Sequence, residues 1–237
     1  MVRKVSLPLL GVLVLIGAGP RPSSGGTVTI TTATTGYGRS VTIYDGTTKE
    51  SGFAGRLAAK IDGKGAKLDT YCVDIAHYAN PSETVLPVSI ASLTDGRGAG
   101  VGFLFDTFDP KVTNADLGAG LQLAIWEYEY NGDHAINTTN SKLPFRLVST
   151  TALKSAIADA NADLAALQKA AKPTGSATWY EVADRGQHVK NDGGQSFVGP
   201  ATPGIASATP EPASLTLLGL GCLGLLGRAG LRRRASA

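Results

Sequence analysis

The chain is short of the residue types that most quickly betray a function. Its 237 residues include two cysteines, three histidines and one methionine, at position 1. Two cysteines cannot build the disulfide framework of a small secreted scaffold. The histidines, His77, His134 and His188, lack the paired spacing of zinc sites. Asp106 with Asp109, and Asn131 with Asp133, offer oxygen ligands without EF-hand spacing and read as polar loop residues, so no metal and no cofactor is expected. Charged residues make up only 17%, which excludes a highly charged disordered chain. The excess of Lys and Arg, 22 against 19 acids, is confined to the ends. Arg3, Lys4 and Arg21 lie in 1–26; Arg228, Arg232, Arg233 and Arg234 lie in 210–237 against Glu211. The 15 basic and 18 acidic residues left in 27–209 make the middle mildly acidic. A basic face for nucleic acid is therefore excluded.

The two ends read as trafficking signals. Arg3 and Lys4 precede an apolar run over 5–19, the arrangement of a secretory signal peptide expected to occupy 1–26. At the other end Pro210–Glu211–Pro212 precedes the apolar stretch ASLTLLGLGCLGLLG, then Arg228 and the triplet Arg232–Arg233–Arg234. With the next few residues this stretch just reaches the roughly 20 needed to span a bilayer. Its arginines would stay on the cytoplasmic side. These last 28 residues resemble the PEP-CTERM sorting signal. The resemblance implies an exported bacterial protein, processed by an exosortase and held at the cell envelope or surface, at least transiently, by a C-terminal transmembrane helix.

Between the ends, 199–209 is a Pro/Gly/Ser/Thr-rich linker, and 27–198 is long enough for one core. Period-two alternation predicts strands over 27–35, 40–44, 57–61, 68–75 and 84–90, the last weakened by Pro87. Asp45–Gly46 and Asp62–Gly63 mark turns. Asn114–Ala115–Asp116 caps a helix whose stripe is Leu117, Leu121, Ala124, Ile125 and Tyr128, ended by Gly132. A second helix is predicted over 151–171, and closing strands over 179–182 and 195–198. The class is α+β: a β-rich single domain with two or three inserted helices, flanked by the signal peptide and the C-terminal transmembrane helix. Asn137–Thr138–Thr139 matches a glycosylation sequon, which carries little meaning in a bacterium.

Cys222 lies in the apolar tail, so the exported domain holds one cysteine, Cys72, with no intradomain partner. On the capped helix, Gln122 stands at the edge of the apolar stripe, and Gly118, one turn earlier, leaves room for another backbone. Tyr71–Cys72–Val73–Asp74 together with Gln122, Ala124, Ile125 and Trp126 resembles the bacterial thioester domains of surface adhesins. The likeness extends over about 69–131, with 102–108 standing where that family has an intervening helix, and Leu121 departs from the Thr of one branch. The resemblance implies an internal thioester between Cys72 and Gln122, shielded by aromatic side chains such as Tyr71, Trp126 and Tyr128, with Asp74 in support. It also implies covalent adhesion to amine or hydroxyl groups of a surface or exopolysaccharide-matrix target. Each domain would react once, so no enzyme is expected.

Two other readings use the same residues. A passive extracellular-matrix or binding module would leave Gln122 an amide and Cys72 an inert buried thiol. A Cys hydrolase or transglutaminase would need a histidine, and the domain offers His77, His134 and His188. On a continuous strand, however, the five-residue spacing of Cys72 and His77 points the two side chains to opposite faces.

Overall fold

A computed structural model of the chain describes residues 28–77, 81–90, 93, 97–182 and 194–201. The signal segment, most of the linker and the sorting tail lie outside the described residues, as does the transmembrane helix expected there. Among the described residues no helix is long and apolar enough to cross a membrane. The elements run β1 (Val28–Asp45), β2 (Thr48–Ile61), β3 (Lys64–Cys72), β4 (Ser82–Ser89), α1 (Arg97–Phe108), α2 (Ala115–Asn131), β5 (Phe145–Leu147), α3 (Lys154–Lys169), β6 (Thr178–Val182) and β7 (Phe197–Gly199). Among the described residues, a β-rich fold with three helices and a seven-stranded sheet matches the domain class expected from the sequence.

Every strand pair is antiparallel, in the order β2-β3-β7-β6-β4-β1-β5, and β2 also pairs with β1. The ladder thus returns on itself. Six strands form a ring, and β5 extends the far end of β1 over Ile43–Asp45. Closure removes the free edges at which extended chains aggregate. The two strands expected over 27–35 and 40–44 are one 18-residue strand. The intervening Thr-Gly-Tyr-Gly is absorbed as a register shift between Thr34 and Gly38, with Gly36 at φ +84°. The Asp62–Gly63 hairpin has φ of 50° and 66°, the left-handed pair that a two-residue turn requires. Pro87 stands opposite Tyr180 of β6, beyond the described pairs of β4 with β1, which run from Ser82 to Val85.

The strand expected over 68–75 stops at Cys72. Asp74 is the reason. Its Oδ1 accepts the Ala76 N–H at 2.8 Å, a local turn that competes with the ladder. The Gln195 side chain meanwhile donates to the Asp74 carbonyl at 2.5 Å.

Helix α2 begins and ends where the sequence indicates. Asn114 Oδ1 accepts the Asp116 and Leu117 N–H groups, and Gly132 takes φ +66°. Its surroundings differ from the expected stripe, since every residue from Gly118 to Glu127 is buried. The helix lies between β1 and β2 on one side and α1 and α3 on the other, so it is covered all round. Two glycines permit this. A Cβ at Gly118 would overlap the Tyr37 carbonyl of β1, and one at Gly120 would come within 2.8 Å of Asp159 Cβ on α3. Helix α3 follows a 3₁₀ turn over Thr151–Leu153 and presents Ala156, Ala160, Leu164 and Leu167 to α2, while Ile157 is only half-buried.

Strand β5 has no signal in the sequence, because polar side chains hold its three residues in place. Buried Glu127 accepts the Asn137 N–H at 2.7 Å and Asn131 Nδ2 at 2.5 Å, and both asparagines donate to the Phe145 carbonyl. Burial pushes the Glu127 carboxyl up, and these bonds hold it back. The sequon residue Asn137 therefore spends its side-chain amide on the Asn140 and Phe145 carbonyls.

Gly118→Ala tests the helix–barrel contact. On an exposed helix this change would add about 1 kcal/mol. Here the new methyl meets strand backbone, and a loss of about 1–3 kcal/mol is expected in chemical denaturation. A raised midpoint would contradict the contact.

Candidate functional site

The site is assembled where the end of β3 meets α2. Alternation along β3 sends Tyr71 and Cys72 to opposite sides. Tyr71 turns to Phe105, ring centroids 6.1 Å apart, and its hydroxyl donates to Asp109 at 3.0 Å. Buried Arg56 lies beside it, bridging Asp109 at 2.8 Å and Asp69 at 3.3 Å. Cys72, 8% exposed, borders a cavity of about 310 Å³ under β1 and β2.

Gln122 reaches Cys72 from α2 and is fully buried. Its Oε1 accepts the Cys72 N–H at 3.0 Å, and its Nε2 donates to the Cys72 carbonyl at 2.6 Å. A primary amide thus offers one acceptor and one donor to the same edge of a strand residue, as the peptide of a neighbouring strand would. Two residues fifty apart in sequence are held together by their own polar groups.

Beyond Cys72 the chain is fastened at several points. Val73 N–H donates to the Ser196 carbonyl at 3.0 Å, and Ile75 N–H donates to Tyr130 Oη at 3.0 Å. The Tyr130 hydroxyl donates to Asp74 Oδ1 at 3.0 Å, while Asp74 Oδ2 lies 2.5 Å from His77 Nδ1. Glu83 accepts the Gln195 N–H at 2.6 Å. Because β3 ends at Cys72, the opposite-face argument for Cys72 and His77 does not apply. Cys72, Asp74 and His77 border the same cavity, with Trp126 and Gln195. The Trp126 ring packs on Phe145, and its indole N–H is buried with no partner among the described residues. Tyr71 and Tyr128 do not border the cavity; Tyr128 packs over Gly100 of α1.

The electrostatics keep Cys72 protonated. Burial pushes the thiol well above its usual range, and the Glu83 and Asp74 carboxylates push it further. Burial also raises the Tyr130 phenol, reinforced by Asp74. A thiol at this site is a poor nucleophile until its proton is taken. Asp106 is committed to Ser176, and Asp109 to Arg56 and Tyr71. Among the described residues no three His, Cys, Asp or Glu side chains gather as a metal site.

Gln195 and Tyr130 have no signal in the sequence as parts of this site, and His77, weighed there only as the histidine of a hydrolase, is set aside on a strand that in fact ends at Cys72. Gln195 lies 121 residues from its Asp74 partner, and Tyr130 lies 56 away.

Comparison with known families matches the PEP-CTERM protein-sorting motif to residues 208–234, which include Pro210, Glu211, Pro212, Arg232, Arg233 and Arg234. The motif indicates export and exosortase-dependent sorting to the cell envelope. No curated protein and no solved structure matches the chain.

Two expectations follow. Gln122→Leu leaves the Cys72 N–H and carbonyl unpaired, at about 1–3 kcal/mol for each orphaned group, read as a lowered unfolding midpoint. Deleting residues 210–237 releases the exported protein from the envelope into the medium. Retention of the truncated chain in the envelope fraction, read by immunoblot, would refute the tail's role.

Proposed function

We propose that this envelope-sorted protein forms an internal thioester between Cys72 and Gln122 and uses it to attach covalently to an amine or hydroxyl group on a surface or matrix partner. The observation that carries the reading is the seating of the Gln122 amide on Cys72 inside a buried site that adjoins a cavity. In closure, the Cys72 sulfur adds to Cδ of Gln122, the thiol proton is taken up, and Nε2 departs as ammonia. In attachment, a partner amine or hydroxyl adds to the same carbon, the Cδ–Sγ bond breaks, and Cys72 recovers its proton. The Cys72 N–H already aimed at Oε1 would stabilise the oxyanion in both steps. The Trp126 ring at the cavity wall would restrict water. The Gln122 acyl group stays on the partner, so there is no turnover and the protein is not an enzyme. A C-terminal transmembrane helix would hold the chain at the membrane until an exosortase acts.

A second reading has specific support. Both polar atoms of Gln122 are satisfied as an amide, and Cys72 is held as a neutral thiol. The domain would then be a passive extracellular-matrix or binding module in which Gln122 serves as a clamp.

Peptide-level mass spectrometry on the full chain isolated from the envelope separates the two. The thioester joins the Cys72 and Gln122 peptides into a species one ammonia lighter than their sum. Methylamine splits that species and leaves a methylamide on Gln122; Cys72→Ala abolishes it. An alkylatable Cys72 beside an unmodified Gln122 in all samples would establish the passive module. A Cys hydrolase would likewise keep its full mass, but would turn over an ester substrate.

A further inference from the structure

We propose that His77, oriented by Asp74, is the proton carrier for the thioester: it takes the Cys72 proton during closure and the partner's proton during attachment. This rests on the thioester reading and adds to it a group that moves protons. The need is set by the site, because the sulfur cannot leave or attack easily as a thiolate there. Among the described residues bordering the cavity, His77 carries the imidazole, the side-chain type that serves most often as general acid and base.

The geometry is that of an oriented imidazole. Asp74 Oδ2 holds Nδ1 at 2.5 Å. Asp74 itself is fixed through Oδ1 by the Ala76 N–H at 2.8 Å and the Tyr130 hydroxyl at 3.0 Å, and its carbonyl accepts from Gln195. Nε2 makes no hydrogen bond among the described residues, and the ring borders the cavity that Cys72 also borders. A carboxylate on one ring nitrogen fixes the tautomer and leaves the other as the base. Asp74 is the carboxylate in contact with the ring, Glu50 also borders the cavity, and among the described residues no Lys or Arg borders it.

The protons balance at each step. In closure Nε2 accepts the thiol proton as Sγ adds to Cδ, then returns it to the departing nitrogen to make ammonia. In attachment Nε2 accepts a proton from the entering amine or hydroxyl, then gives it to Sγ as the Cδ–Sγ bond breaks.

The test uses the full chain with His77→Gln and Asp74→Asn beside the wild type, with unfolding midpoints recorded to show that each variant is folded. Methylamine is the probe, and the rate of methylamide formation on Gln122 is followed from pH 5 to 9 per unprotonated amine. In folded His77→Gln the thioester is either absent or opened at least about 10²-fold more slowly, the usual worth of a positioned base, and the pH dependence of the wild-type rate is lost. Asp74→Asn keeps that pH dependence in weakened form. A His77→Gln protein that carries the thioester and opens it at the wild-type rate with the wild-type pH profile overturns the role of His77 and leaves the thioester reading standing. Absence of the ammonia-deficient species from the wild type overturns both.

Discussion

One buried side chain holds this domain together at its most consequential point. The Gln122 amide takes both polar groups of the Cys72 backbone from a helix. A primary amide with no exposure must find a donor and an acceptor or cost several kcal/mol. Cys72, near the end of its ladder, presents the complementary pair. Each side therefore removes the other's penalty, and the position of α2 becomes coupled to where β3 ends. Rotating the helix by one residue, about 100°, would orphan four buried polar atoms. The surrounding structure meets this constraint with small residues, since Gly118 lets the helix lie against the Tyr37 carbonyl and Gly120 admits α3 from the other side.

The same junction separates two chemistries that are adjacent in sequence. Tyr71 and Cys72 leave β3 on opposite sides, so each belongs to a different environment. Tyr71 enters a network in which Arg56, Asp109 and Asp69 compensate one another's charge, with the Tyr37 ring 5.3 Å from the guanidinium. Removing one member would strand a buried charge, so the network fixes register more than it adds stability. Cys72 enters a site with carboxylates and an imidazole but no bordering Lys or Arg. Nothing there favours a thiolate.

Much of this was legible in the sequence, and the failures share a cause. The turns at Gly46 and Gly63, the caps Asn114 and Gly132, and the class of most elements follow from local chemistry that acts over a few residues. The pairing of Cys72 with Gln122 was legible only through the resemblance of the two motifs to a known family, because no periodicity links residues fifty apart. What could not be read depends on contacts across greater distances. Helix α2 looked amphipathic because three layers of cover cannot be inferred from one stripe. Strand β5 was invisible because asparagines and a buried glutamate hold it, not its own propensity. The strand over 68–75 looked continuous because Val73 and Ile75 keep the alternation that Asp74 interrupts. That single turn brings Cys72 and His77 to one cavity.

The environment of Cys72 bears on how long an acyl bond there would last. Surroundings that disfavour a thiolate also make sulfur a poor leaving group, because breaking Cδ–Sγ without a proton would deposit negative charge beside Glu83 and Asp74. A thioester carries no charge, so burial favours it over the separated ions. Opening would then depend on delivery of a proton to sulfur at the moment of attack. A water molecule or small nucleophile arriving without such delivery would face a higher barrier than at an exposed thioester. The burial that makes Cys72 a sluggish nucleophile is thus the feature that would preserve the bond between export and contact with a partner. On the thioester reading, an oriented imidazole at the same cavity would supply the proton that the surroundings of Cys72 withhold.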